Sequence, residues 1–344
     1  MFDVFSGFFS EDMGIDLGTA NTVIYVKGKG IILSEPSVVA IKTDLRRGPR
    51  IVAVGTKAKK MIGRTPDGIA AIHPLKDGVI ADFDLTEAML KHFILKTRGG
   101  RFLTKPRILI CLPSGSTEVE MLAVREAAKN VGARAVYLLA EPVAAAIGTK
   151  LPIREPTGSM IVDIGGGTTE VAVLCMSDIV HCSSIRVAGH EMDNAIIQYV
   201  KKKHGLLIGT RTAETIKKVI GNAYCETEES AIDVKGRDLI GGIPKVVTLR
   251  SREVAEAISG PVHTIVDTIK IALMQTPPEL ASDIVERGIV LSGGGSLLRN
   301  LDEVIRRATG LPVFVAENPL LSVVLGTKAI FDDLKLYEDL LIRH

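Results

Sequence analysis

The sequence predicts an α/β protein built from two related domains, and three observations lead to that fold class. The first is the alternation of short β-branched runs with longer runs of helical periodicity, which is typical of sheets packed against helices. The second is the length of 344 residues, which is about two domains of chain. The third is a weak internal repeat, since the pattern that begins at Gly14 returns near Val162. Its aspartates, Asp16 and Asp163, lie 147 positions apart, again about one domain length.

The individual strands and helices follow from the residues that dominate each run. Each predicted strand is short and rich in β-branched and aliphatic residues, which pack well on a pleated sheet. In chain order, the predicted strands are Thr22–Val26, Arg107–Leu112, Met160–Ile164, Val171–Leu174 and Ile289–Leu291. Each predicted helix repeats apolar residues with a helical period, as on one buried face. In chain order, the predicted helices are Ser116–Val131, Met192–His204, Ala213–Ile220, Ser251–Met274 and Leu297–Thr309.

Composition argues against several classes of protein. The sequence has 42 Lys and Arg against 40 Asp and Glu, so no excess of positive charge favours a nucleic-acid partner. Aromatic residues make up only 4% and Trp is absent, so few side chains could stack on bases. The four cysteines form no C-x-x-C pair, and we interpret them as reduced residues of a cytoplasmic protein. We expect no secretory signal and no membrane-spanning helix, because the sequence has no basic start and no sufficiently long apolar run.

The two copies of the internal repeat predict a pair of phosphate-binding turns. In each copy an Asp lies near the end of an apolar strand, small residues and hydroxyls follow, and a second strand begins. Glycine lets backbone N–H groups approach an anion, and threonine hydroxyls add donors. A strand–turn–strand order differs from the P-loop and Rossmann motifs, which lead into a helix. We therefore expect the turns to bind one polyphosphate, with Asp16 and Asp163 holding a hydrated Mg²⁺.

A third glycine-rich run, Gly293–Ser296, follows the predicted strand Ile289–Leu291. Three consecutive glycines present bare backbone, against which a flat or bulky group can lie. Ser296 is a candidate N-cap for the helix predicted next. A plain flexible turn is the alternative interpretation of the run.

Taken together, these runs resemble the superfamily of actin, Hsp70 and the sugar kinases. The matching motifs are the phosphate motifs Gly14–Thr22 and Ile161–Val173, the adenosine motif Val290–Leu301, and the connecting motifs Leu139–Gly148 and Leu320–Ile330. Within the superfamily the chain is similar to the MreB family of bacterial actin homologues over nearly its whole length. The runs that carry this closer resemblance are Ile15–Thr22, His73–Asp82, Glu155–Met160 and Ile185–Gly189.

The resemblance implies an actin-like ATPase fold, in which two ribonuclease H-like domains surround a nucleotide cleft and each carries a smaller subdomain. The expected bounds are residues 1–148 plus 319–344 for domain I and 149–318 for domain II. The small subdomains are expected at about residues 33–75 and 183–246.

The resemblance also implies ATP or ADP with Mg²⁺ as the ligands and assigns residues to them. The phosphates would contact Thr19, Ala20 and Asn21 from one side and Gly165, Gly166, Gly167 and Thr168 from the other. The nucleoside would contact Gly293, Gly294, Gly295 and Ser296, together with Glu214 and Lys217. Glu214 and Lys217 are spaced to share a helix face, and without the resemblance they also fit a surface ion pair.

Glu141 is the candidate for orienting the water that attacks the γ-phosphate, with Thr168 as a second contact to the water or the phosphate. Because Glu141 precedes a proline, we expect it to be extended and Pro142 to be the first residue of a helix. The alternative role for Glu141 is a carboxylate that stabilises the N-terminus of that helix. The expected activity is slow, polymerisation-linked hydrolysis of ATP to ADP and phosphate, since phosphoryl transfer depends mainly on positioning and electrostatics.

Two apolar segments are candidates for membrane contact. Phe2, Phe5, Phe8 and Phe9 fall on one face if the N-terminus coils as a helix, although Gly7 and nearby acidic residues weaken that interpretation. Phe102 and Leu103 lie between basic residues and form a second apolar tip. The alternatives are a tail packed on its own domain and a buried hairpin.

The resemblance implies a cytoskeletal ATPase that forms membrane-associated double filaments, organises cell-wall synthesis and maintains rod shape. The partners that it implies are other copies of the chain, the inner face of the cell membrane, and elongation proteins such as RodZ and MreC. It implies no nucleic-acid partner. The alternatives are a magnetosome or plasmid-segregation actin, and a small-molecule kinase or a chaperone of the same superfamily. We find no inserted second-substrate segment for a kinase, and no chaperone substrate domain is expected after the last motif.

Overall fold

The computed structural model describes residues 12–44, 48–98, 105–224 and 230–342. By its internal contacts the chain divides into two compact units. The first unit contains the described residues up to Thr157, the segment Leu174–Val180 and the described residues from Leu320 onward. The second unit contains Gly158–Val173 and His181–Pro319. The division places residues 149–157 with the first unit, whereas the domain bounds expected from the resemblance begin domain II at 149 and stay a prediction.

The strands of the described residues are numbered here in chain order. Those of the first unit are β1 (Met13–Leu17), β2 (Asn21–Val26), β3 (Gly30–Pro36), β4 (Val39–Asp44), β5 (Gly48–Val54), β6 (Ile69–Ile72), β7 (Leu75–Lys76), β8 (Val79–Ile80), β9 (Arg107–Leu112) and β10 (Ala135–Ala140). The strands that follow are β11 (Ser159–Ile164), β12 (Thr169–Cys175), β13 (Asp178–Ile185), β14 (Leu206–Leu207), β15 (Ala231–Asp238), β16 (Pro244–Arg250), β17 (Ile289–Ser292) and β18 (Val313–Val315).

The helices are numbered in the same way. They are α1 (Thr56–Lys59), α2 (Phe83–Arg98), α3 (Glu118–Asn130), α4 (Glu141–Gly148), α5 (Gly189–His204), α6 (Thr210–Ile220), α7 (Ser251–Gln275), α8 (Pro278–Arg287), α9 (Leu301–Thr309) and α10 (Ser322–Asp332). Short 3₁₀ turns cover Gly294–Leu297, Pro319–Leu321 and Glu338–Leu340.

The main sheet of the first unit has the strand order β10-β9-β1-β2-β3. β1 pairs antiparallel with β2 and parallel with β9, and β9 pairs parallel with β10. Every residue of β1 except Asp16 is buried, because the sheet is covered by helices and the strand reads as a nearly continuous apolar run. Met13, Ile15 and Phe93 belong to the core of this unit.

The main sheet of the second unit has the order β13-β12-β11-β17-β18. Read from the opposite edge, this is the order of the first sheet, with β11 in the place of β1, β12 in that of β2 and β17 in that of β9. The parallel pairs also correspond, since β11 pairs with β17 and β17 with β18. Asp16 on β1 and Asp163 on β11 therefore occupy corresponding strands, as the internal repeat predicted.

Each unit also carries a small three-stranded sheet. In the first unit its order is β5-β4-β6, and α1 packs Ala58 against Val38 and Ala40. In the second unit its order is β14-β15-β16, joined to the core through Leu206, Val234 and Leu249.

The predicted strands are confirmed, with Arg107–Leu112 reproduced to the residue. The predicted helices are confirmed with small shifts at their ends; for example, Thr117 caps α3 through a reciprocal capping box with Glu120, so the helix begins at Glu118. One prediction is wrong in part. Residues 294–297 form a 3₁₀ turn and α9 begins only at Leu301.

Candidate functional site

The first glycine loop, residues 18–21, connects β1 and β2. Hydrogen bonds with Ser37 and with the backbone N–H of Gly78 hold it in place. The Ser37 hydroxyl donates to the Gly18 carbonyl at 2.6 Å, and the Ser37 N–H donates to the Ala20 carbonyl at 3.0 Å. The Thr19 hydroxyl accepts from the Gly78 N–H at 3.1 Å. Thr19 is buried and Asn21 is exposed. These contacts fix the loop while the Thr19 hydroxyl keeps its own proton to donate.

The second glycine loop, residues 165–168, connects β11 and β12 and is closed by a hydrogen bond from the Gly165 N–H to the Thr168 carbonyl at 2.9 Å. Its carbonyls face the start of α5. The N–H groups of Gly189 and His190 donate to the carbonyls of Gly165 and Gly166 at 3.2 and 2.8 Å.

The N–H groups of Gly166, Gly167 and Thr168 have no hydrogen-bond partner within the described chain. Consecutive free N–H groups of this kind form a concave donor set that suits a phosphate. The second glycine loop therefore fits the anion that the sequence predicts for it.

Asp163 is the clearest sign of a ligand in the second unit. Its side chain is only 7% exposed, and one carboxylate oxygen, Oδ1, has no hydrogen-bond partner in the described chain. Burial raises the pKa of Asp163 to about 6, although a hydrogen bond from the Ser292 hydroxyl acts to lower it. A buried carboxylate with an unsatisfied oxygen is costly unless a cation or an ordered water completes it. Asp163 thus fits the role of holding hydrated Mg²⁺.

The glycine turn, residues 293–296, packs closely on the end of β11. Gly293 has φ of 78°, and a Cβ there would lie 2.3 Å from the Ile164 carbonyl oxygen. A Cβ on Gly295 would lie 2.3 Å from the Ile164 side chain. Glycine is required at both positions, by conformation at the first and by close approach at both. The turn is therefore fixed against β11, which makes the flexible-turn interpretation wrong.

Ser296 does not cap a helix, contrary to the prediction. Its hydroxyl donates to the Gly293 carbonyl at 2.6 Å, inside the 3₁₀ turn, and the residue is buried. Asn300 takes the position before α9, with φ of 60°. Its side-chain amide donates to the Asn222 side chain at 2.9 Å and to the Tyr224 carbonyl at 3.0 Å, which ties the start of α9 to the segment after α6.

Glu214 and Lys217 both lie on α6 but do not pair with each other. Glu214 accepts from Lys218 at 2.7 Å, whereas Lys217 forms an ion pair with Asp193 of α5 at 2.8 Å. Lys217 also donates to the Gly189 carbonyl. Lys217 thus has a buried charged partner on another helix, and its ammonium lies beside the turn that contacts the second glycine loop.

Glu141 is the first residue of α4, and it is 7% exposed. The helix begins one residue earlier than predicted, with Pro142 second. α4 is buried from Glu141 to Ile147. It packs directly against the backbone of α10 at two points, and at each point one of the helices has a glycine. A Cβ on Gly148 would lie 1.8 Å from the Ser322 carbonyl oxygen, and one on Gly326 would lie 1.9 Å from the Ala144 carbonyl oxygen. This close helix contact fixes the backbone that carries Glu141.

Several contacts around the loops escaped the sequence interpretation. Asp193, Ser37 and Gly78 were not singled out. Gly78 lies inside the matching run His73–Asp82 and Asp193 lies just beyond the end of Ile185–Gly189, whereas Ser37 lies in none of the matching runs. The membrane candidates Phe2, Phe5, Phe8, Phe9, Phe102 and Leu103 lie outside the described residues. In residues 12–44, 48–98, 105–224 and 230–342, no helix is long and apolar enough to cross a bilayer. Nor do these ranges hold a cluster of three or more His, Cys, Asp or Glu that suits a metal ion.

Comparison with known proteins relates the chain to one family. The model described as "MreB/Mbl protein" matches residues 10–339. The cell shape-determining protein MreB of Escherichia coli (strain K12) is 56% identical over 328 residues, which cover 95% of this chain and 94% of that protein. The cell shape-determining protein Mbl of Bacillus subtilis (strain 168) is 50% identical over 326 residues, which cover 95% of this chain and 97% of that protein.

Among solved structures, the chain is similar to MreB 5 of Spiroplasma citri bound to AMPPNP. The TM-score is 0.90 and the identity 36%, and the match covers 96% of this chain and 98% of that one. This likeness confirms the α/β actin-like fold predicted above.

Proposed function

Because this chain belongs to the MreB/Mbl family, we propose that it is a cytoskeletal ATPase whose filaments maintain cell shape. The observation that carries the proposal is the repeated loop. Each main sheet has the same strand order, and each bears an aspartate at the end of its first strand, before a short loop rich in small residues. The Spiroplasma citri relative, which binds the ATP analogue AMPPNP, adds support for a nucleotide as the ligand.

Each residue set has a distinct role in this proposal. The first and second glycine loops contact the phosphates of ATP through Thr19, Ala20 and Asn21, and through Gly165, Gly166, Gly167 and Thr168. The glycine turn Gly293–Ser296, with Glu214 and Lys217, contacts the nucleoside. Asp16 and Asp163 would hold hydrated Mg²⁺, which would supply positive charge against the phosphates. Glu141 accepts a hydrogen bond from the attacking water and orients it, with Thr168 as the second contact.

A sedimentation and phosphate-release experiment tests the activity. Wild-type protein with ATP and Mg²⁺ should pellet as filaments and release phosphate slowly. The variant Asp163→Ala should lose phosphate release while keeping a folded circular dichroism spectrum, and the exposed-site control Asp67→Ala should behave as wild type. Wild-type turnover in the double variant Asp16→Ala, Asp163→Ala would remove both aspartates from the site.

The finer cellular role is also part of this proposal. The filaments are double, lie in the cytoplasm on the inner face of the cell membrane, and position wall synthesis together with membrane proteins such as RodZ and MreC. Sequence alone supports the anchors, which are the apolar face of Phe2, Phe5, Phe8 and Phe9 and the apolar tip of Phe102 and Leu103. Individually weak anchors gain strength when a filament presents many of them.

Liposome co-sedimentation tests the anchors. Wild-type filaments should pellet with anionic liposomes, and less so at high salt. Deleting residues 1–9 together with Phe102→Ser and Leu103→Ser should release the filaments from liposomes without stopping polymerisation. If this combined variant coats liposomes as well as wild type, the membrane site lies elsewhere in the chain.

A further inference from the structure

The ion pair between Lys217 and Asp193 is unusual for its burial. The Lys217 side chain is 15% exposed and that of Asp193 only 2%, whereas in the neighbouring pair Lys218 is 68% and Glu214 24% exposed. Burial acts to raise the pKa of Asp193, and the charge of Lys217 acts to lower it. Removing two charges from water offsets most of the attraction between them, so a buried pair adds little net stability. A positional role explains its presence better than stability does.

The Lys217 ammonium spans the first turn of α5. It contacts the Asp193 carboxylate at 2.8 Å and also donates to the Gly189 carbonyl. Gly189 and Asp193 are the first and fifth residues of α5 and therefore stack on one helix face. Lys217 thus fastens the N-terminal turn of α5 to α6.

The opposite side of the same turn holds the second glycine loop. The Gly189 N–H donates to the Gly165 carbonyl at 3.2 Å, and the His190 N–H donates to the Gly166 carbonyl at 2.8 Å. A Cβ on Gly189 would lie 3.3 Å from both the Lys217 Nζ and the Gly165 carbonyl oxygen. The ammonium, the helix turn and the loop are therefore closely packed, and a side chain at Gly189 would require its neighbours to shift by a few tenths of an ångström.

We propose that Asp193 is a positioning residue for phosphate binding: it holds Lys217 against the first turn of α5 and so fixes the second glycine loop. With the carbonyls of Gly165 and Gly166 fixed, the N–H groups of Gly166, Gly167 and Thr168 keep the concave arrangement that suits a phosphate. This inference rests on the proposed function for its ligand, the polyphosphate of a nucleotide. Asp193 touches neither the ligand nor the reacting water.

The variant Asp193→Asn separates this role from a structural one. The amide keeps the shape of the side chain but releases the ammonium from its charged partner. Turnover depends on the loop geometry and should fall on the order of 10- to 100-fold. The Kd for ATP should rise on the order of 10-fold as well, because the N–H groups of this loop hold the phosphate. A Kd for ATP equal to that of wild type would contradict the proposal.

Amide hydrogen exchange on nucleotide-free protein gives a readout independent of activity. In Asp193→Asn the N–H groups of Gly189 and His190 should exchange on the order of 10-fold faster, because their bonds to the loop open more often. The matched control is Glu256→Gln, which neutralises a carboxylate that accepts from Tyr199 of α5 at 2.8 Å, beyond the first turn. It should leave turnover and the exchange of Gly189 and His190 unchanged.

The outcomes distinguish this inference from the proposed function. If wild type neither binds nor hydrolyses ATP, the proposed function fails, while the exchange experiment still reports on the loop. If wild type is active and exchange at Gly189 and His190 is the same in Asp193→Asn as in wild type, the positioning role is overturned. Should Asp193→Asn fail to fold, Gly189→Ala disturbs the same contact from the other side and must show the same fall in turnover.

Discussion

Replacing Asp163 by asparagine should stabilise the nucleotide-free protein at neutral pH. The aspartate is 7% exposed, its Oδ1 has no partner in the described chain, and burial raises its pKa to about 6 from a usual value of 3.8. A raised pKa means that folding favours the protonated carboxyl group. The folded protein therefore bears a cost for the charge whenever the pH lies above that pKa.

The size of the effect follows from the shift. Each pKa unit corresponds to about 1.4 kcal/mol, so ionised Asp163 costs the folded state about 3 kcal/mol near pH 7. The stability that the neutral group provides is fully present below pH 3.8 and is lost as the pH rises through about 6. Asparagine stays neutral throughout, so Asp163→Asn should gain stability over wild type progressively between about pH 4 and pH 7.

Urea unfolding of both proteins from pH 4.5 to pH 7.5, without nucleotide, measures this difference. The control Asp67→Asn changes an exposed carboxylate and should show no pH-dependent gain. A difference between wild type and Asp163→Asn that is flat across this range, or a less stable variant at pH 7.5, would refute the argument. Adding ATP and Mg²⁺ should favour wild type, because a ligand that binds only the folded state stabilises it by an amount that rises with the ratio of ligand concentration to Kd.

Four further substitutions test the packing and the site. Gly326→Ala should lower the free energy of unfolding in urea by about 2 kcal/mol, because the new Cβ would lie 1.9 Å from the Ala144 carbonyl oxygen. Its control, Gly260→Ala, adds a Cβ in open space on α7 and should raise the free energy of unfolding by about 0.5–1 kcal/mol. Arg107→Lys should cost about 1–2 kcal/mol in the same measurement, because lysine cannot reproduce the two hydrogen bonds of 2.8 and 2.6 Å to Asp12. Glu141→Ala should keep ATP binding but slow single-turnover phosphate release on the order of 10²–10⁴-fold; an unchanged rate would leave Glu141 a structural role.

The elements that were predicted well are those whose signal is local. The strand Arg107–Leu112 is a mostly apolar run bounded by Pro106 and Pro113, and its bounds are confirmed to the residue. The start of α9 was misplaced because Leu297 and Leu298 continue the apolar period of the predicted helix and Ser296 before them is a suitable N-cap residue. A tertiary contact decides their conformation instead, since Gly295 packs directly on Ile164 from a distant part of the chain.

The same distinction applies to the candidate site. Asp163 could be found because the internal repeat marks it, and the structure adds an unsatisfied oxygen that supports a ligand. Asp193 could not be found, since its partner Lys217 lies on another helix and no spacing rule connects them. Thr19 and Gly78 likewise meet across 59 positions. Such contacts arise from the packing of elements, which the pattern of a single sequence does not encode.

The two glycine loops match in strand order yet are supported differently. The first is backed by Ser37 and a loop amide, whereas the second is backed by the N-terminus of α5. In many phosphate sites a helix N-terminus points its free N–H groups at the anion. Here the N–H groups of Gly189 and His190 are already committed to the loop carbonyls. A phosphate at the second loop must therefore be held by the loop's own N–H groups, so its binding depends on loop geometry rather than on direct contact with the helix.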